Sequence, residues 1–391
     1  MNKYKEVIKL EYNEVLYGFD KIYEIINIDY APLIIYNQYN NDSNLNNLLK
    51  VINEWFKGRG IPSLRDNINI LLEKLNIDNP SELLNKSFAL SLSDQYYIKP
   101  FDLDIKYDDV NFFDNSFDYM EFLEASLSLG SKTINKEVSL KTPNNTTDGM
   151  LKKAWIIDDN KRYLLKGGYK NDLIQPFNEV LASDICKYLG FNHVEYKIDI
   201  YKDTIVSKCP CFITNDTEFI TANQIMNNKK KNYNLDDYEE YIKELENHGI
   251  ENAREKLENM YILDYLIMNE DRHLNNFGII RDVNTLKWID VCPIFDNGQS
   301  LNIPYYDEVE AITNGNGRFF YEVKPFDEII KIVEDIKRID IKKLNNIVYE
   351  FDNLLHKYQH ITNISDKRIN VLCSLLQRQV NKLRTLIEEE L

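Results

Sequence analysis

Residues 269–301 constrain this 391-residue chain more than any other stretch. They read NEDRHLNNFGII, then RDVNTLKWID, then VCPIFDNGQSL, so Asp271, His273 and Asn276 stand together ahead of a second acid, Asp296, with a strand-like apolar run between them. Just upstream, Met260–Met268 (MYILDYLIM) is apolar nearly all round, the pattern of a helix buried on every side. Asp271 therefore falls on a loop leaving a buried helix, where it can face a cleft. Asp296 is followed by Asn297-Gly298, a turn-favouring pair, so it should sit on a turn at the end of the run Trp288–Phe295.

The rest of the chain supplies an α+β frame around that stretch. Residues 1–128 mix strand-like and helical segments: Ala31–Tyr36 is an apolar run too short to assign by period, Ile68–Leu75 is helical in pattern, and Phe101–Phe117 reads as an irregular connector packed by its rings. Lys141–Gly149 is a polar loop of small residues. It leads into a hairpin pattern, with strands at Lys153–Ile157 and Arg162–Lys166 around Asp158-Asp159-Asn160. Pro176 opens a helix whose apolar positions Phe177, Val180, Leu181, Ile185, Tyr188 and Leu189 keep a 3–4 spacing up to Gly190. A further strand pair is expected at Val194–Ile200 and Thr204–Lys208, continuing through Cys211–Thr214. Beyond Tyr238 the pattern is helical, ending in an amphipathic helix over Lys367–Leu391. This order divides the chain into an N-terminal piece (1–128), a strand-rich piece (129–215) and a helical piece (216–391).

Composition narrows the function classes. A hydrophobic fraction of 43% with 26 Tyr and 18 Phe fits packed cores, and a net charge of −16 argues against direct nucleic-acid binding, which draws on clustered Lys and Arg. The basic run Lys229–Lys231 reads as a solvated loop. The five cysteines are scattered; Cys209-Pro210-Cys211 is too tight for a zinc knuckle, and reduced thiols in a cytoplasmic protein are expected. The N-terminus lacks the apolar core of a signal peptide, and no apolar run reaches the ~20 residues of a membrane span, so no membrane association is expected.

The polar residues match the needs of phosphoryl transfer: a held cation, a phosphate-binding lysine and a carboxylate placed where an acceptor hydroxyl loses its proton. Asp271 is the candidate catalytic carboxylate. Asn276 offers an amide oxygen and Asp296 a carboxylate, hard donors suited to Mg²⁺. Lys166 ends a strand ahead of Gly167-Gly168, and Glu179 lies early on the next helix, where it can pair with Lys166. Gly149 lies where a missing side chain lets backbone N–H groups approach phosphate. Taken singly, each is ordinary: Asp-Arg-His as a helix-end salt bridge, Lys166 as a surface lysine, Glu179 as a first-turn acid favoured by the helix dipole.

In their order and separations these residues resemble the HipA-like family of bacterial serine/threonine kinases, a divergent branch of the protein-kinase fold, most closely over Leu129–Leu301. The resemblance implies a bilobal fold with a strand-rich N-lobe, a helical C-lobe and an extra N-terminal α+β appendage. It places the catalytic Asp at Asp271, metal ligands at Asn276 and Asp296, and the nucleotide lysine and its helix partner at Lys166 and Glu179. It further implies a phosphate loop over Thr146–Lys153, with Thr146 and Thr147 as hydroxyls open to autophosphorylation and Gly149 in the same loop. By order alone Cys209–Ile213 takes the place of the nucleotide hinge, setting Cys211, Phe212 and Ile213 beside the nucleotide. His273 is expected to hold the catalytic loop by hydrogen bonds next to the cofactor. The implied cofactors are ATP and Mg²⁺, the implied substrate is a protein with a Ser or Thr acceptor, and an antitoxin-like or regulatory partner goes with the toxin-type members. Residues 1–125 do not match the antitoxin-contacting part of those members. Two other readings share the motif: a lipid or small-molecule kinase, because Asp-Arg-His-x-x-Asn also resembles the catalytic loop of phosphatidylinositol kinases, and a nucleotide-binding regulator without turnover.

Overall fold

The computed structural model describes residues 1–61, 72–73, 77, 80–119, 123, 141–147, 151–169, 173–227, 236–301, 314–362 and 364–389. Gly149, the basic run at 229–231 and most of the helical pattern at 68–75 lie outside the described residues. The chain divides into two units, each discontinuous in sequence. One comprises Met1–Leu165, Cys211–Asn234 and Gly278–Asp290; the other comprises Lys166–Pro210, Leu235–Phe277 and Val291–Leu391.

In the first unit, strands Ile8–Asn13 and Gly18–Ile25 pair antiparallel, from Ile8 opposite Ile25 to Asn13 opposite Gly18. The Leu45–Gly58 helix buries Leu48, Ile52 and Phe56, which are four residues apart and so form one stripe. That stripe joins Val7, Phe19 and Ile35 in one core, with the Phe19 and Phe56 rings 5.1 Å apart. Each such side chain stabilises the fold by about 2 kcal/mol when fully buried. The short Ala31–Tyr36 run resolves as the start of a helix, Leu33–Asn41, because Pro32 occupies its N-cap. The aromatic connector packs in part as expected: Tyr107, Phe112 and Phe117 join a second core with Leu90, Leu92 and Tyr97, whereas Phe101 is 88% exposed.

Strands Lys153–Asp158 and Lys161–Gly167 meet at a two-residue turn, Asp159-Asn160, with φ of +47° and +57°. Asp and Asn tolerate the left-handed region that such hairpin turns require. A three-stranded sheet runs in the order Thr217–Thr221, Gly278–Asp282, Trp288–Val291. Within it Glu218 lies opposite Arg281, both buried, with Arg281 Nε 2.8 Å from Glu218 Oε1. Gly278 is required there, since a Cβ would lie 2.0 Å from the Ile220 carbonyl oxygen.

In the second unit the Gln175–Leu189 helix is buried along most of its length and ends at Gly190, whose φ of +79° lets its N–H return to the Cys186 carbonyl. Tyr188, expected on its apolar stripe, instead turns outward and donates to Glu350 Oε2 at 2.8 Å. Strands Lys197–Tyr201 and Thr204–Pro210 form the expected hairpin. The second strand stops at its proline, so Cys211–Thr214 does not continue it; proline has no N–H to extend a ladder. Likewise the strand in Trp288–Phe295 ends at Val291, ahead of Pro293. The Ala253–Ile267 helix is buried as expected, and the C-terminal helix Asp366–Glu389 buries Ile369, Leu372, Leu376 and Val380. A hairpin of Asn316–Phe319 and Glu322–Pro325 places Phe319 and Phe320 against Tyr238, Tyr241, Tyr261 and Phe277. Among the described residues no helix is long and apolar enough to cross a membrane.

Candidate functional site

The loop carrying Asp271 starts where the Ala253–Ile267 helix is stopped by Met268, held at φ +50° with its N–H on the Asp264 carbonyl. The Asp264 carboxylate, in the last turn, accepts from Asn269 Nδ2 at 2.9 Å, and Asn269 Oδ1 accepts the Asp271 N–H at 3.2 Å. The loop then folds on itself. The His273 N–H donates to the Asp271 carbonyl at 2.8 Å, the Asn276 N–H to the His273 carbonyl at 2.8 Å, and Asn276 Nδ2 to the Asp271 carbonyl at 3.0 Å.

Arg272 links this loop to the second acid. It is fully buried and grips Asp264 with Nε at 2.9 Å and Nη2 at 2.8 Å. Its Nη1 donates to the carbonyls of Asn276 at 3.2 Å and Phe295 at 2.7 Å, and its Nη2 also donates to Asn297 Oδ1. Burial alone would lower the guanidinium's pKa; the Asp264 carboxylate outweighs that and holds it above the ordinary arginine value. One side chain thus holds the Phe295 carbonyl and the Asn297 side chain on either side of Asp296, together with the end of the Asp271 loop.

Asp296 itself has φ +58°, a left-handed conformation that costs on the order of 1 kcal/mol for a side-chain-bearing residue. It persists because the flanking chain is held from the Gln175–Leu189 helix as well. Glu179 Oε2 accepts the Asn297 N–H at 2.8 Å, and Asn178 Nδ2 donates to the Gly298 carbonyl at 2.9 Å and to the Ser300 carbonyl. Gly298 allows this approach, since a Cβ there would already lie 3.3 Å from that of Gln175.

Lys166 completes the cluster. Its ammonium lies 2.7 Å from Glu179 Oε1 and 2.6 Å from Asp296 Oδ1. Lys166 and Glu179 are buried, whereas the Asp296 side chain is 31% exposed. Burial would lower the Lys166 pKa, but Asp296 and Glu179 more than reverse this and hold the ammonium well above the usual lysine range. Burial pushes the Glu179 carboxyl up, against the pull of Lys166. The arrangement is a caged lysine whose charged form its two carboxylates favour, one of them reaching solvent.

Asp271 is more open, its side chain 41% exposed. Arg318 Nε stands 3.2 Å from Oδ1, and His273 Nε2 3.9 Å from Oδ2. His273 Nδ1 lies 3.2 Å from the Asn275 N–H and accepts from it, leaving Nε2 as the ring's N–H. Asn276 and Asp296 offer oxygen donors of the kind Mg²⁺ takes, and the Asn276 amide nitrogen is already committed to the Asp271 carbonyl. Among the described residues no group of three or more His, Cys, Asp or Glu forms a metal cage. An ion held by these two donors would complete its shell with water and phosphate oxygens.

Lys166, Glu179, Asp271, His273, Asn276 and Asp296 all fall in the second unit; Thr146, Thr147, Cys211, Phe212 and Ile213 fall in the first. Thr146 donates to the carbonyls of Leu90 at 2.9 Å and Pro143 at 3.0 Å, and Thr147 to that of Asn144 at 3.0 Å. Cys211 Sγ lies 3.5 Å from the Leu92 carbonyl and 3.4 Å from that of Ile213, and burial pushes the thiol up to about 12. Phe212 meets Phe219 edge-on with centroids 5.8 Å apart, and Ile213 is buried. Sequence reasoning missed Arg272, Asp264, Asn269, Asn178, Asn297 and Arg318. Only Arg272 carried a signal, its place between Asp271 and His273; the others are ordinary polar residues until the fold joins them.

Residues 145–318 match the family model of the HipA-like C-terminal domain. Over 142 residues the chain is 32% identical to the serine/threonine-protein kinase CtkA of Helicobacter pylori strain J99, a match covering 34% of this chain and 42% of that protein. The chain thus spans less than half the length of that relative. Among solved structures, a chain of the Shewanella oneidensis MR-1 toxin–antitoxin complex of HipA, HipB and operator DNA matches 97% of this chain and 95% of its own length, at 11% identity and a TM-score of 0.52. The crystal structure of Helicobacter pylori CtkA matches 61% of this chain and 94% of its own length, at 21% identity and a TM-score of 0.41. The α+β fold is that of the HipA-like kinases. Over residues 145–318 the chain is thus similar to the HipA-like C-terminal domain.

Proposed function

We propose that this chain is a Mg²⁺–ATP-dependent kinase of the HipA-like type that transfers a phosphoryl group to a serine or threonine hydroxyl of a protein. The observation that carries this reading is the double contact of Lys166 Nζ, 2.7 Å from Glu179 and 2.6 Å from Asp296, tied through Arg272 to the Asp271 loop. Mg²⁺–ATP, when bound, supplies the phosphoryl group and the divalent charge that screens it. Lys166, kept charged and oriented by Glu179, binds phosphate oxygens. Asp296 and Asn276 hold the metal, and Asp271 orients the acceptor hydroxyl and takes its proton as the new O–P bond forms and the bond to the ADP leaving group breaks. Thr146, Thr147, Gly149, Cys211, Phe212 and Ile213 remain candidates for the phosphate loop and hinge by resemblance alone. A regulatory or antitoxin-like protein partner belongs to the same reading, since the solved relative was captured with HipB and operator DNA; with a net charge of −16 this chain would not grip DNA by itself.

The test is incubation with radiolabelled ATP and Mg²⁺, with protein and lipid acceptor panels kept separate, for the native protein beside Asp271→Asn. Mass spectrometry locates any phosphate on the chain itself. Transfer to protein by the native form, lost in Asp271→Asn and on EDTA addition, supports the reading. Transfer to lipid alone replaces the acceptor class. ATP binding by calorimetry with no transfer to any acceptor makes the chain a nucleotide-binding regulator instead.

A further inference from the structure

We propose that Arg318 is a positioning residue for Asp271, holding its carboxylate in the orientation that receives the acceptor proton; this rests on the role given to Asp271 above. The two carboxylate oxygens of Asp271 face different groups: Oδ1 has Arg318 Nε at 3.2 Å, and Oδ2 has His273 Nε2 at 3.9 Å. Oδ1 is therefore ion-paired, and the more distant contact at Oδ2 leaves that side for a hydroxyl.

The contact is not a stabilising device. Arg318 is 51% exposed and Asp271 41%, and an ion pair this wet adds little to stability. The backbone delivering Arg318, by contrast, is firmly anchored. On one side Gly317 lies so close to Phe326 that a Cβ would come within 2.6 Å of the ring. On the other, Phe319 is 7% exposed and stacks near Tyr238 and Tyr261 at 5.6 and 5.2 Å. Across the hairpin Arg318 pairs with Val323. An exposed guanidinium on an anchored strand, paired with an exposed carboxylate, fits a positional role. It also gives Asp271 a cation of its own, distinct from the buried Lys166 that serves Asp296.

Arg318→Ala and Arg318→Lys, in the full chain, test this beside the native protein and Asp271→Asn. The readout is phosphate transferred from Mg²⁺–ATP to the chain itself and to dephosphorylated casein. We expect Arg318→Ala to lower kcat by about 10- to 100-fold with KM for ATP within about twofold, the signature of lost orientation rather than lost binding. Arg318→Lys should recover part of the rate, and thermal unfolding should not move. A native rate in Arg318→Ala overturns the proposal and leaves the kinase reading standing. So does a loss that appears in KM for ATP alone with kcat unchanged, because binding rather than orientation would then have been lost. Absence of any transfer by the native protein overturns the kinase reading, and the role of Arg318 falls with it.

Discussion

Arg272 grips Asp264 through two hydrogen bonds, from Nε at 2.9 Å and Nη2 at 2.8 Å, with both side chains almost completely shielded from solvent. The remaining guanidinium contacts reach the Asn276 and Phe295 carbonyls and the Asn297 amide. The residue beside Asp271 in sequence is therefore the one that ties its loop to Asp296.

This arrangement depends on the planar fork of arginine, which lysine does not reproduce. Arg272→Lys should destabilise the protein by about 3 kcal/mol, because the Asp264 carboxylate loses its paired donors while still buried. Urea unfolding at pH 7 measures this. A change smaller than about 1 kcal/mol, on the scale of an exposed pair, would show that the network is not a structural unit.

Lys166 offers a second test. Replacing it with Met leaves Glu179 buried with, among the described residues, only the Asn297 N–H donating to it. Breaking a buried pair from one side costs about 3–5 kcal/mol, and Lys166→Met should also abolish phosphate transfer. Lys166→Met together with Glu179→Leu should recover part of the stability, the Asn297 N–H being left without its acceptor, and should not recover transfer. Recovery of both in the double variant would remove Lys166 from the chemistry.

Gly278 is a prediction about the first unit alone. Its Cβ position lies 2.0 Å from a backbone oxygen, which has no side-chain freedom with which to yield. Gly278→Ala should destabilise by about 3 kcal/mol through forced separation of the Thr217–Thr221 and Gly278–Asp282 strands. Circular dichroism melting gives the result; an unchanged midpoint would mean that the strands shift apart without cost.

Asp282 gives a pH dependence. Its carboxylate accepts the N–H groups of Thr285 at 2.7 Å and Asn284 at 3.0 Å and the Thr285 hydroxyl at 2.8 Å, and these bonds, the Thr285 N–H foremost, lower its pKa from 3.8. A lowered acid contributes stability that is present above its unfolded pKa and lost as pH falls through the folded value. The stability difference between the native protein and Asp282→Asn should therefore be constant above about pH 5 and shrink below about pH 4. Urea titrations at several pH values check this, and a gap that widens toward acid would reverse the sign.

What the sequence determined by itself was local. The Asp159-Asn160 hairpin, the helix closing at Gly190, the buried helix before Asp271 and the C-terminal apolar stripe were all legible, because turn chemistry and side-chain period act between near neighbours in the chain. The order Lys166, Glu179, Asp271, Asn276, Asp296 was legible too, as a pattern with a chemical meaning. Prolines limited the strand readings: apolar runs through Pro210 and Pro293 looked continuous, but a residue without an N–H does not extend a ladder. Tertiary structure alone decided the rest. That Lys166 meets Asp296, 130 positions away, that Asp296 is held at a positive φ, and that Arg272 faces Asp264 rather than Asp271 all depend on segments brought together by core packing. Nothing in a single stretch encodes which distant carbonyl a buried guanidinium will find. A solved chain with the same fold shares 11% identity with this one, so the shape persists where most of the letters do not, as expected when cores tolerate apolar substitution that keeps volume and patterning.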